Sequence, residues 1–417
     1  MRLARLATLL LPAVALLLPA AGLAADPIVL GVPTALGTLE GADSLRAAQL
    51  AVKEINDAGG VQVGKEKRKL EIASIDTREA EAGVPVNDAL AAMEKLIGEK
   101  KPAAIVVGAF RSEVLVSAMD MIAKAKIPYL ATIGMSGAFD QKIAAEPEKY
   151  KYNFRLSLSG PFLVGNMAKV MEFMKKKYGF DKVYFLHQDV AWAKGTIAGL
   201  AKTAEAAGWK VLGNDGYPIG ARDFSSSLSK AKAGGAQLVV PLFDMPESGV
   251  LVKQARSMKV PAVVSGFISP AAPATAWTTF KGDIDGLVEF LFEPGSIPLP
   301  TPRSKAFTEA YGKVYGEAQK EKLAGHGPGP SYDAVYVLAK AIEKAGTLDP
   351  DALVAQLEKT DMDGVVGHLV FNKTHGVPYG DDLKTGGVSL AFQWRNGKRV
   401  VVFPETIAEG QIELPAR

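Results

Sequence analysis

The chain has 417 residues, 48% of them hydrophobic and 22% charged, enough to bury two sizeable cores. Its 48 Lys and Arg stand against 45 Asp and Glu, a net charge of +3 without the concentrated basic footprint that a nucleic-acid partner demands. No cysteine occurs, which excludes disulfides, thiolate metal sites and a lipid-bearing cysteine at a cleavage point.

Arg2 and Arg5, an apolar run from Ala7 to Leu18 and the small residues Ala20-Ala21-Gly22-Leu23-Ala24-Ala25 form a secretory signal peptide. Cleavage is expected after Ala24 or Ala25, releasing an untethered monomer into the periplasm. A membrane anchor is the alternative, but a spanning helix needs about 20 apolar residues and this run meets Pro19 and Gly22 first.

Strands and helices then alternate. Pro27–Val32 reads as a strand. Ser44–Ala58 reads as a helix with Leu45, Ala48, Val52 and Ile55 on one face, capped at Asp43 or Ser44 and ended by Gly59-Gly60. The strands Leu70–Ile75, Ala103–Val107 and Ile127–Ile133 are separated by helices over Val86–Ile97 and Glu113–Lys124, and Lys65 to Lys69 mark a solvated hairpin tip. The pattern restarts with strands at Asn153–Leu158, Val183–Leu186, Val211–Gly213, Leu238–Leu242 and Pro261–Ser265. Helices are expected at Pro161–Lys177, Gly195–Ala207, Phe224–Ala233 and Pro246–Met258.

Such alternation predicts an α/β chain with two doubly wound parallel-sheet lobes. The last third continues with a strand at Leu287–Phe292 and helices at Ser304–Tyr315, Ser331–Lys344 and Pro350–Lys359. A hairpin follows, turning at Asn396-Gly397. Having no alternation of its own, this tail completes the lobes by crossing between them. The expected division is a leader over 1–25, an N-terminal lobe of 26–155 with 289–366, and a C-terminal lobe of 156–288 with 367–417.

Catalytic motifs are missing. Gly134-Met135-Ser136-Gly137 falls one residue short of a nucleophile elbow, and neither a P-loop nor a dinucleotide fingerprint occurs. His187, His326, His368 and His375 show no metal-binding spacing and read as surface or loop residues; Asp361 and Asp363 read as turn residues before Gly364. No enzyme activity, cofactor or metal is expected. What remains is location: ligands of open parallel sheets sit beyond the strands' carboxyl ends, where Gly108–Ser112, Gly134–Ser136, Gln188–Trp192 and Phe243–Met245 fall.

Three stretches in order, Leu50 to Gly60, Val252-Lys253-Gln254-Ala255-Arg256 and Ser331-Tyr332-Asp333-Ala334-Val335-Tyr336, resemble the leucine/isoleucine/valine-binding family of periplasmic proteins. The resemblance implies the type I periplasmic binding fold, a two-lobed clamp with three interlobe crossings that delivers a small molecule to an ABC permease. On that likeness Ser112 and the Met135-Ser136 turn hold a ligand carboxylate and Trp192 covers the ligand. Helix capping by the serines and plain packing by the tryptophan stand as alternatives.

Two departures bear on the ligand. The amino-acid binders of the family carry an acid near the start of the loop after Pro261–Ser265, where this chain has Gly266-Phe267-Ile268; Asp244 is the substitute within reach. Arg111 stands where the family has a small residue. Its planar fork matches a carboxylate, which points to a ligand more negative than positive, such as a carboxylic acid without an ammonium or a dicarboxylate, with Phe267 and Trp192 over its apolar part. The alternative is an Arg111 paired with Glu113 away from the ligand. The expected function is capture of a small carboxylate-bearing ligand, an amino acid or organic acid, for import, with a sensing module of the same fold as the alternative.

Overall fold

The computed structural model describes residues 25–414; the leader reading, Met1 to Ala24, lies outside them. Five strands build the first lobe: β1 (Ile28–Thr34), β2 (Leu70–Asp76), β3 (Ala104–Val107), β4 (Tyr129–Ala131) and β5 (Asn153–Arg155). All run parallel in the order β2-β1-β3-β4-β5. Helices α1 (Leu39–Asp57), α2 (Val86–Lys100) and α3 (Ser112–Ala125) cover the sheet. Strand β3 is buried along its whole length, as a strand covered on both faces must be, and α3 turns Val114, Leu115, Ala118, Met119 and Ile122 inward at helical spacing.

The second lobe repeats the plan with β6 (Lys182–Gln188), β7 (Lys210–Tyr217), β8 (Leu238–Phe243), β9 (Val263–Ile268) and β10 (Val288–Leu291), in the order β7-β6-β8-β9-β10. Here β11 (Leu390–Arg395) and β12 (Lys398–Phe403) extend the sheet antiparallel beyond β10. Helices α4 (Gly160–Tyr178) and α5 (Ala191–Ala206) pack against one another, and α6 (Pro328–Ala345) returns to the first lobe to lie along α1. The chain therefore passes between the lobes three times, after β5, after β10 and before β11.

Several boundaries move for identifiable reasons. Helix α1 begins at Leu39, with the Thr38 hydroxyl accepting from the Gly41 N–H at 3.0 Å, five residues before the expected start. Its first turns bury Glu40, Asp43 and Ser44, so hydrophobic periodicity is silent there. Strand β9 begins at Val263, two residues after Pro261, which has no N–H for the ladder. Strand β10 belongs to the second sheet, so 289–291 pair there and not in the first lobe as the expected division had it.

Asp361–Asp363 is a short strand opposite His368–Val370, correcting the turn reading. His187, His326 and His375 are buried, correcting the surface reading. At Asn396-Gly397 both residues take positive φ between paired Arg395 and Lys398, the backbone of a two-residue hairpin turn.

Candidate ligand-binding site

In each lobe the strand order reverses around the first strand, and the loops at that reversal are where an open α/β sheet offers a crevice. These loops are the ones after β1 and β3 in the first lobe and after β6 and β8 in the second, and they face one another.

The β3 exit is a tight turn. The Gly108 N–H donates to the Val106 carbonyl at 2.9 Å while Val107 sits at φ 68°, a region a β-branched residue rarely occupies. A side chain at Gly108, itself at φ 73°, would meet the Tyr129 ring 2.1 Å away. The chain beyond is pinned by Glu79, whose carboxylate accepts from the Phe110 and Arg111 N–H groups at 2.8 and 3.0 Å, and by Tyr129 Oη, which accepts from Ala109 N–H at 2.8 Å. Burial pushes the Glu79 carboxyl up to about 7 against these hydrogen bonds. This anchoring delivers Phe110, Arg111 and Ser112 into the cleft.

Opposite stands Asp244, at the end of β8. Its Oδ1 accepts from Gln188 Nε2 at 2.8 Å and its Oδ2 from Trp192 Nε1 at 2.6 Å; Gln188 Oε1 in turn accepts from the Asp244 N–H at 3.1 Å. Arg111 Nη1 reaches across the cleft to both Asp244 oxygens at 3.4 Å. Arg111 is 5% exposed and its Nε is buried with no partner. Glu113 does not pair with Arg111: it accepts from the Ala191 N–H at 2.8 Å, the first amide of α5 in the other lobe.

Between the lobes lies a narrow cavity. Of the residues expected from sequence, Ser112, Met135, Trp192, Asp244 and Phe267 line it. Arg111 lies beside it through Asp244. Ser136 does not line it; its hydroxyl accepts from the Ala138 N–H at 3.2 Å and caps the helix Gly137–Ala145.

Five more residues share the wall: Glu40, Phe110, Ile133, Phe292 and His326. Phe267 and Phe292 stack at 4.1 Å, with Trp192 edge-on to both. His326 Nε2 donates to the Ile133 carbonyl at 2.8 Å and Nδ1 faces Glu293 Oε2 at 2.6 Å. Burial works to lower the His326 pKa, but the charge and hydrogen bond of Glu293 outweigh it and raise it. Sequence reasoning passed over Glu40 and His326. The signals available were an acid just after the first strand's loop and a lone histidine among the glycines and prolines of 325–330.

The profile of the family described as periplasmic binding protein matches residues 29–381. The leucine-, isoleucine-, valine-, threonine- and alanine-binding protein of Pseudomonas aeruginosa is 30% identical over 48% of this chain, which spans about half (52%) of that relative. Leu/Ile/Val-binding protein homolog 7 of Brucella suis is 26% identical over 90% of both chains. Among solved structures, a putative branched-chain amino acid ABC transporter from Silicibacter pomeroyi superposes with a TM-score of 0.77 at 18% identity, over 94% of this chain and 99% of that one. A solute-binding protein from R. palustris in complex with 4-hydroxybenzoate superposes at 0.73 and 18% identity, over 90% and 95%. With two reversed parallel sheets, three crossings and a profile match across both lobes, the chain belongs to the type I periplasmic binding proteins of the branched-chain amino acid family.

Proposed function

We propose that this protein is the exported solute-binding component of an ABC importer, and that its two lobes close around a small organic carboxylate with an apolar body. Supporting the export half are the Arg2/Arg5 start, the apolar run and the small-residue exit, together with a family whose members are periplasmic. Both amino acids and aromatic acids are named as ligands of proteins with this fold.

The observation that carries the choice is Arg111. A buried guanidinium is costly unless its donors are matched. Among the described residues its one side-chain hydrogen-bond partner, Asp244, is reached only at 3.4 Å and already holds two shorter hydrogen bonds, from Gln188 and Trp192. A ligand carboxylate accepting from Arg111 and from the Ser112 hydroxyl supplies the missing acceptors. The rings of Phe110, Trp192, Phe267 and Phe292 then enclose the apolar part.

The test uses protein recovered from a periplasmic fraction, whose intact mass is expected to begin at Ala25 or Asp26. A thermal-shift panel of neutral amino acids, aliphatic and aromatic monocarboxylates and dicarboxylates should give its largest shift with a carboxylate lacking an ammonium. Calorimetry should then show Arg111→Ala losing more than about a hundredfold in affinity, since orphaning a buried charge costs roughly 3–5 kcal/mol. Tightest binding by leucine, or a loss under about threefold, would overturn the reading.

A further inference from the structure

Glu40 is the one cavity-wall carboxyl that the carboxylate reading leaves without a role. It is 1% exposed, in the first turn of α1, and lines the cavity beside Phe267, Phe292 and His326. Among the described residues, the one side-chain donor that reaches it is the Ser269 hydroxyl, from the loop after β9 in the other lobe.

Among the described residues no free cation answers it. Arg111 is turned to Asp244. Both nitrogens of His326 are committed, to Glu293 and to the Ile133 carbonyl, so it has no N–H left for a ligand. Asp43, one turn along α1, is bonded to Arg46, Tyr311 and the Ala324 N–H. Asp244, the other acid of the wall, raises the Glu40 pKa further. The cavity thus holds a carboxyl that accepts hydrogen bonds at the ligand surface, with nothing beside it to neutralise a second anion.

We infer that Glu40 sets the specificity of the cleft: it favours a monocarboxylate whose apolar body carries a hydrogen-bond donor, and it turns away a dicarboxylate. This rests on the reading of the cleft as a carboxylate site. A donor on the ligand, such as a phenolic hydroxyl, gives Glu40 the second hydrogen bond it lacks. A second carboxylate meets like charge in a water-poor space, where repulsion is strong.

Protonation modulates the effect. Burial raises the Glu40 carboxyl to about 7, opposed by the Ser269 and backbone hydrogen bonds and by His326, and assisted by Asp244. Above that pH the exclusion is strongest. Below it a neutral Glu40 becomes a donor, and the exclusion relaxes.

The test is calorimetry on the mature protein with benzoate, 4-hydroxybenzoate and terephthalate at pH 8 and pH 6, for wild type, Arg111→Ala, Glu40→Gln and Ser269→Ala. At pH 8 the wild type should prefer 4-hydroxybenzoate to benzoate by about tenfold and bind terephthalate at least about tenfold more weakly than benzoate, about one charge-assisted hydrogen bond in each case. Terephthalate binding should recover at pH 6. Glu40→Gln should cut the hydroxyl preference to about threefold or less, and bind terephthalate equally at both pH values. Ser269→Ala, which frees the Glu40 carboxylate without removing it, should widen the hydroxyl preference and guards against a Glu40 variant that folds poorly. Binding of all three that depends on Arg111 but keeps its ranking in Glu40→Gln overturns the role of Glu40 alone. No binding by any of the three, or binding indifferent to Arg111→Ala, overturns the carboxylate reading and this inference with it.

Discussion

Ser112 and Ser136 looked alike in sequence, and they part on what their hydroxyls touch. Ser112 lines the cavity, and its oxygen accepts a long bond from the Met135 N–H at 3.4 Å, so its own proton is free for a ligand oxygen. The Ser136 oxygen is taken by the Ala138 N–H inside its own helix cap. Ser112→Ala is therefore expected to weaken ligand binding about tenfold to a hundredfold, the value of a hydrogen bond to a charged group. Ser136→Ala should cost about 1 kcal/mol of stability and leave affinity unchanged. Titration calorimetry and thermal melts on the two variants decide; a loss of affinity confined to Ser136→Ala would reverse the assignment.

At the scale of elements, closure is written in contacts that each lobe makes to the other's helix and strand ends. Helix α5 starts at Val190 with no side-chain cap of its own. The Glu113 carboxylate of the first lobe reaches over and accepts its first amide, placing a negative charge where the helix dipole favours one. If the lobes open as proposed, the open form loses this cap, and Glu113→Ala should leave the melting temperature of ligand-free, open protein unchanged. It should weaken ligand affinity by about threefold to tenfold, the range of an N-terminal charge interaction and one hydrogen bond. An equal loss of stability with and without ligand would place the contact outside closure.

For the whole molecule, the buried acids set the pH dependence. Burial raises Glu79 to about 7 and Asp333 to about 6, and Glu289, sealed within the second lobe, well above its usual range. Each of these groups binds its proton more tightly folded than unfolded. The stability it contributes is full below its ordinary pKa and is lost as pH rises through the folded value, a window from about pH 4 to 7 and beyond. His375 acts in the opposite sense: burial lowers its pKa, so stability falls as it is forced to charge below about pH 6.5. Differential scanning calorimetry without ligand should therefore give a melting temperature a few degrees higher at pH 5.5 than at pH 8, and Glu79→Gln should shrink the difference. A melting temperature that climbs steadily to pH 8 would contradict this account.

Much of the architecture was legible because it is local. Apolar runs of β-type residues, helical spacing such as that of α3, and a turn as specific as Asn396-Gly397 each declare themselves within a few residues. The alternation, its restart after residue 150 and the crossing tail followed from those signals, as did the general place of the site at the strands' carboxyl ends. Of the candidate site, the loop positions and the family resemblance pointed to Ser112, Met135, Trp192, Asp244 and Phe267, which line the cavity, and to Arg111 beside it. Tertiary structure decided the pairings: Arg111 with Asp244 across 133 residues and Glu40 with Ser269 across 229. It also decided that His326 is buried and held by Glu293 and that Ser136 serves its own helix. No local pattern encodes such contacts, because each depends on how two separately folded sheets face one another. Once they do, burial gives these polar groups a charge state and a partner that exposure would have left undetermined.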